Sequence, residues 1–151
     1  MIGTESKLWD SLNVYSKDYP EAHLARVESP ITPGCSDVEY TRLGPWNGWI
    51  ELKTASRPRP GKAFTLHSPF TFAQAAWLLT HQNEKARQRS WMLIGVLGMH
   101  TWKGFVLVEP TPALKLLSVR KSEPHEEFLR RKGVEWLGTM KDVLKRIRSE
   151  K

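Results

Sequence analysis

Cysteine is almost absent. Cys35 stands alone, so no intrachain disulfide can form and zinc sites built from cysteine pairs are excluded. Such sparse use of cysteine fits a reducing, cytoplasmic setting. Long apolar runs are also missing: none approaches the roughly 20 residues that cross a bilayer. The opening MIGTESKLWDS has no basic segment leading into an apolar one, so neither a membrane partner nor a signal peptide is expected. The five histidines (His23, His67, His81, His100, His125) are scattered without zinc spacing. GVLGMHTWKG lacks the Gly-Lys-Ser/Thr ending of a phosphate loop. There is no internal repeat and no low-complexity tract. Acidic residues are outnumbered, 16 Asp and Glu against 23 Lys and Arg, giving a formal charge of +7. That balance favours polyanionic partners, because Lys and Arg on phosphates release counterions.

What is present fits one domain, since 151 residues suffice to bury a core. Leu8, Trp9, Leu12 and Tyr15 fall at helical spacing and predict a helix from about Glu5 to Tyr15. HLARVES alternates as a short strand. Two turn signals, SPITPG and RLGPWNG, flank the extended runs SDVEYT and WIELKTA, which predict a hairpin or neighbouring strands. The basic, Pro-rich SRPRPGKAFTLHSP reads as a loop. SPFTFAQAAWLLTHQ predicts a helix with Ser68 as N-cap, Pro69 at the first position and a stripe of Phe72, Ala75, Ala76 and Leu79. WMLIGVLGM predicts a buried central strand and GFVLVE another. VEWLGTMKDVLKRIRSEK predicts a basic C-terminal helix with Trp136, Leu137, Met140, Val143, Leu144 and Ile147 inward. The order α-β-β-β-α-β-β-α is that of an α/β domain with a mixed sheet flanked by helices.

Charge in the hairpin is the informative feature. Alternate strand residues share a face, so Glu51 and Lys53 point together while Ile50 and Leu52 point into the core. Asp37 and Glu39 share a face with Val38 opposite. Pairing around GPWNG sets Asp37 beside Glu51, and two carboxylates and an ammonium converge. Such carboxylates repel unless a hard divalent cation lies between them, and Mg²⁺ favours oxygen ligands with several retained waters. An ion there can polarise a scissile phosphate, and an adjacent lysine can stabilise the developing charge. A Glu-x-Lys pair alone is commonly a solvated surface pair; here it sits in an apolar strand, 14 residues after the Asp and preceded by Gly34.

GCSDVEY…GWIELKTA resembles the PD-(D/E)XK nuclease superfamily, with Ser36 in place of the usual proline. HLARVES resembles the H-x-x-R-(I/V)-E segment of small VRR-NUC-like and Holliday-junction-resolvase-like nucleases often encoded by bacteriophages. The resemblance covers roughly Glu5 to Val108; the stretch from about 110 to 151 carries no recognised motif. It implies a restriction-endonuclease-like αβββαβ core and a Mg²⁺- or Mn²⁺-dependent DNA nuclease, an endonuclease acting on branched or junction DNA, in the host cytoplasm if phage-encoded. It implies Asp37 and Glu51 as metal ligands with the Leu52 carbonyl, Lys53 as the catalytic lysine, and Gln74 positioning substrate or water. A further acid comes from the first helix in many members. Glu5 is the first choice, Glu28 the alternative and Asp10 the third; an acid at a helix N-terminus is also favoured by the macrodipole. A resolvase cutting two strands symmetrically needs a two-fold homodimer.

Basic clusters bracket this site: Arg57, Arg59 and Lys62 after the Glu-x-Lys strand, then Lys85, Arg87 and Arg89, with Lys141, Lys145, Arg146 and Arg148 on the last helix. Together they suggest a phosphate-tracking rim. Trp46 and Trp102 fall in predicted turns, where they could stack on bases. Two rival readings keep the fold without the chemistry: a nucleic-acid-binding module and a phage structural or packaging accessory.

Overall fold

The computed structural model describes residues 5–27, 32, 34–113 and 123–150. Glu28, the alternative acid, lies outside them. The chain forms helix α1 (Glu5–Ser16), strands β1 (His23–Arg26), β2 (Val38–Leu43) and β3 (Trp46–Ser56), helix α2 (Phe72–Thr80), a 3₁₀ turn (Glu84–Ala86), strands β4 (Trp91–Leu97) and β5 (Trp102–Val108), short helices α3 (Pro110–Ala113) and α4 (His125–Phe128), strand β6 (Val134–Leu137) and helix α5 (Met140–Arg148). The strands make one mixed six-stranded sheet in sequence order. β3 and β4 are parallel, and the other pairings are antiparallel. The parallel step needs the crossover that α2 supplies.

Strand alternation divides the core into two layers. Leu8 and Leu12 of α1 and Met140, Val143, Leu144 and Ile147 of α5 pack on Val38, Tyr40, Ile50, Leu52, Leu93 and Leu107. On the other face Ala75 and Leu78 of α2 pack with Ala55, Met92, Ile94, Val96, Val106 and Phe128. β3 and β4 are buried on both faces, as the apolar run at Trp91–Leu97 predicts.

Three expectations are corrected. Helix α2 starts later than Ser68: Thr71 is its N-cap, and Thr71 and Gln74 form a reciprocal capping box. The inward stripe is accordingly Ala75 and Leu78, while Phe72 is 77% exposed. The C-terminal stretch is not one helix. Val134–Leu137 pairs with β5, Trp136 is 41% exposed, and α5 begins after the Thr139 cap. That stretch therefore supplies a sheet strand and part of one helical layer.

Candidate active site

The site lies where β2 parts from β3. Val38 is opposite Ile50, and the same register continued by one residue sets Asp37 opposite Glu51. Asp37 does not continue the ladder with its backbone. Its carboxylate Oδ2 instead accepts the Leu52 N–H at 2.8 Å, satisfying an edge donor that would otherwise be left bare. Further along that edge a second segment takes over. Leu66 bridges to Ala55 and the His67 N–H donates to the Thr54 carbonyl at 2.9 Å. The His67 ring is held between Thr54 Oγ1 (2.9 Å) and Ser56 Oγ (3.0 Å).

Into this gap β3 projects Glu51 and Lys53, 2% and 3% exposed. Lys53 Nζ lies 3.5 Å from Glu51 Oε2. It donates to the Pro69 carbonyl at 2.7 Å and to Ser68 Oγ at 3.3 Å. Ser68 Oγ in turn donates to Glu5 Oε1 at 2.6 Å. Glu51 Oε1 is buried with no hydrogen-bond partner. Burial and the adjacent Asp37 charge push the Glu51 carboxyl up to about 9, against the opposing pull of Lys53. Cys35, just upstream, has its thiol pushed up by burial and by Glu51, Asp37 and Glu39.

Asp37, Glu51, Lys53 and Glu5 are thus brought into one connected cluster, and Ser68, read from sequence as a helix cap, joins it. Among the described residues no group of three or more His, Cys, Asp or Glu side chains is placed to hold a metal ion. The donor set is the pair Asp37 and Glu51. A Mg²⁺-sized ion keeps most of its waters and needs only one or two carboxylates, so the partnerless Glu51 oxygen beside Asp37 fits such an ion.

Gln74 is used differently from its expected role: its side-chain Oε1 accepts the Thr71 N–H at 3.0 Å to close the helix cap. The first turn of α2 still abuts the Asp37 loop. Gly34 (φ +77°) lies so close to Ala73 that a Cβ there would collide with the Ala73 carbonyl. On the Glu51 side, Trp49 meets Trp77 edge-on at 5.2 Å, and Trp77 stacks on His81 at 4.5 Å.

Of the expected phosphate contacts, Arg57, Arg59, Lys62, Lys85 and Arg87 are exposed. Arg89 is corrected. It is 6% exposed, its guanidinium lies 3.8 Å from the Trp46 ring centroid, and it donates to the Ser149 carbonyl at 3.2 Å. Trp46 is likewise no base-stacking platform: it is buried, and its Nε1 donates to the Ser149 carbonyl at 2.7 Å. Trp102 lies in β5 and packs near Phe105. Among the described residues no helix is long and apolar enough to cross a membrane.

The site residues that sequence reading missed are Ser68 and His67. Both act across the sheet edge, and no local spacing marks them. Comparison with known proteins finds no match, either to a family model or to a curated protein.

Proposed function

We propose that this chain is a divalent-metal-dependent DNA nuclease with a restriction-endonuclease-like core of the PD-(D/E)XK type. One observation carries the reading: Asp37, Glu51 and Lys53 meet at the parting of β2 and β3, with the buried Glu51 Oε1 unpartnered beside a second carboxylate. The element order α1-β1-β2-β3-α2-β4 is in keeping with it. Asp37 and Glu51, with the Leu52 carbonyl, would hold Mg²⁺ or Mn²⁺, which supplies Lewis-acid charge at the scissile phosphate.

The chain's own residues do the rest. Lys53 keeps its ammonium next to the reacting phosphate and stabilises charge developing on its oxygens. Once Glu51 is engaged elsewhere, Lys53 has an N–H free for that task and keeps two partners in Ser68 and Pro69. Water adds across the P–O3′ bond: its oxygen bonds to phosphorus, the P–O3′ bond breaks, and a water proton ends on O3′. The products are a 3′-hydroxyl and a 5′-phosphate. Arg57, Arg59 and Lys62, exposed just beyond β3, would contact the DNA backbone. Backbone contact without a base-reading element favours DNA shape as the determinant, with branched or junction DNA above linear duplex.

The near-complete burial of Glu51 and Lys53 favours one alternative, a nucleic-acid-binding module that retains the site without turnover. One assay separates the two. Labelled linear, single-stranded, flapped and four-way DNA is incubated with Mg²⁺ or Mn²⁺. Cleavage by wild type, abolished in Asp37→Ala and Glu51→Ala, supports the nuclease. Binding of all four substrates without cleavage overturns it.

A further inference from the structure

Lys53 is held by more than a catalytic lysine needs. Its three N–H donors face three acceptors: the Pro69 carbonyl at 2.7 Å, Ser68 Oγ at 3.3 Å and Glu51 Oε2 at 3.5 Å. Ser68 has one hydroxyl proton, and it goes to Glu5 Oε1 at 2.6 Å. With its proton so directed, the Ser68 oxygen is left as an acceptor toward Lys53. The polarity runs one way, from Lys53 to Ser68 to Glu5. The links come from three separate places: β3, the segment that His67 pins to its edge, and the first residue of α1.

We infer that Ser68 is the positioning residue for Lys53 and that Glu5 anchors Ser68, not a metal ion. The catalytic part of this inference rests on the nuclease reading; the holding of Lys53 does not. A lysine stem is long and rich in rotamer freedom, so an ammonium fixed in place needs such a cradle. Glu5 would thereby tie the orientation of α1 to the reactive group.

The test begins on metal-free protein. Reductive methylation with ¹³C-formaldehyde is followed lysine by lysine by mass spectrometry, with exposed Lys62 and Lys85 as internal references. Lys53 of wild type should react slowest. Ser68→Ala should speed its modification several-fold, and Ser68→Thr, which keeps the hydroxyl, should restore protection. Glu5→Gln should also expose Lys53 while leaving Mg²⁺ affinity, read by calorimetry, unchanged. With a cleavable DNA, Ser68→Ala should lower kcat roughly tenfold to a hundredfold, the scale of a misplaced reacting group, with KM within about twofold. Circular dichroism confirms that each variant is folded. Unchanged Lys53 reactivity in Ser68→Ala overturns the inference. So does a Glu5→Gln variant that loses Mg²⁺ affinity with Lys53 still protected, since Glu5 would then be a ligand. A wild type that cuts no DNA refutes the nuclease reading alone, and the methylation result then decides the holding of Lys53 by itself.

Discussion

Replacing Glu51 by Gln should change how stability depends on pH, in a direction fixed by burial. The carboxyl sits at about 9 in the folded chain against an ordinary 4.5, because burial and Asp37 outweigh Lys53. Below pH 4.5 both folded and unfolded states hold the proton, and the group has no effect. Between about 4.5 and 9 only the folded state holds it, so each pH unit upward costs about 1.4 kcal/mol. From pH 6 to pH 8 the loss is about 2.7 kcal/mol, or roughly 5–10 °C of Tm for a chain of this length. Glutamine keeps the shape and cannot ionise. Groups remote from the site contribute equally to both proteins, so the difference between the two curves reports Glu51 together with the neighbours coupled to it. The assay is thermal unfolding in EDTA at constant ionic strength, at pH 5, 6, 7 and 8. Glu51→Gln should gain on wild type steadily as pH rises. Parallel curves would refute the reasoning, and with it the claim that Glu51 keeps a proton when no cation is bound. If the pair does hold a divalent ion, its binding must expel that proton, and affinity should climb about tenfold per pH unit.

Two further outcomes separate exposed from buried cations. Replacing Arg57, Arg59 and Lys62 together with Ala should flatten the log–log salt dependence of DNA affinity by about two to three units; an unchanged slope in a filter-binding titration would move the DNA path elsewhere, with α5 next in line. Arg89→Ala should leave that slope alone and instead lower stability by about 2–3 kcal/mol in urea unfolding, through loss of the Trp46 stack and the charged bond to the Ser149 carbonyl; a stability equal to wild type would show that the buried guanidinium contributes nothing net.

The contrast between these arginines shows what a sequence exposes. The period-two pattern of β3 was legible because Ile50 and Leu52 must face one core while Glu51 and Lys53 face away; the register was not set by the turn alone, because an irregularity between Tyr40 and Leu43 shifts it by one residue before Val38 meets Ile50. The apolar run at Trp91–Leu97 was legible for the same reason: only a strand covered on both faces tolerates it. Arg89 was not legible. Its burial depends on Trp46, 43 residues upstream, and on Ser149, 60 residues downstream, and a basic cluster in sequence carries no mark of such partners. The error at α2 is of another kind. Ser68-Pro69 and Thr71-x-x-Gln74 are competing start signals three residues apart, and the capping box prevails because it satisfies two helix-end groups reciprocally. The missed strand β6 turns on Gly138-Thr139, which interrupts an otherwise helical pattern and caps α5.

Moving the helix start to Thr71 also explains the site. Had Ser68 capped α2, its hydroxyl would have been committed to a backbone amide and Pro69 would have lain inside the first turn. Because the helix begins later, residues Leu66 to Pro69 stay outside it and pass β3 with a bend at His67 and Ser68. The Ser68 hydroxyl and Pro69 carbonyl are then free to turn toward Lys53. The same shift commits Gln74 to the cap. The charged residues of β3 are therefore stable in a buried strand for a local reason: the edge that β2 abandons is lined by Asp37 on one side and by an unwound segment rich in acceptors on the other. Buried charge costs heavily unless it is paired and hydrogen-bonded. Lys53 has its donors met by the Pro69 carbonyl, Ser68 Oγ and Glu51, and Glu51 escapes the cost by holding a proton at neutral pH. Glu51 Oε1, a buried polar atom without a hydrogen-bond partner, is the atom a cation would need.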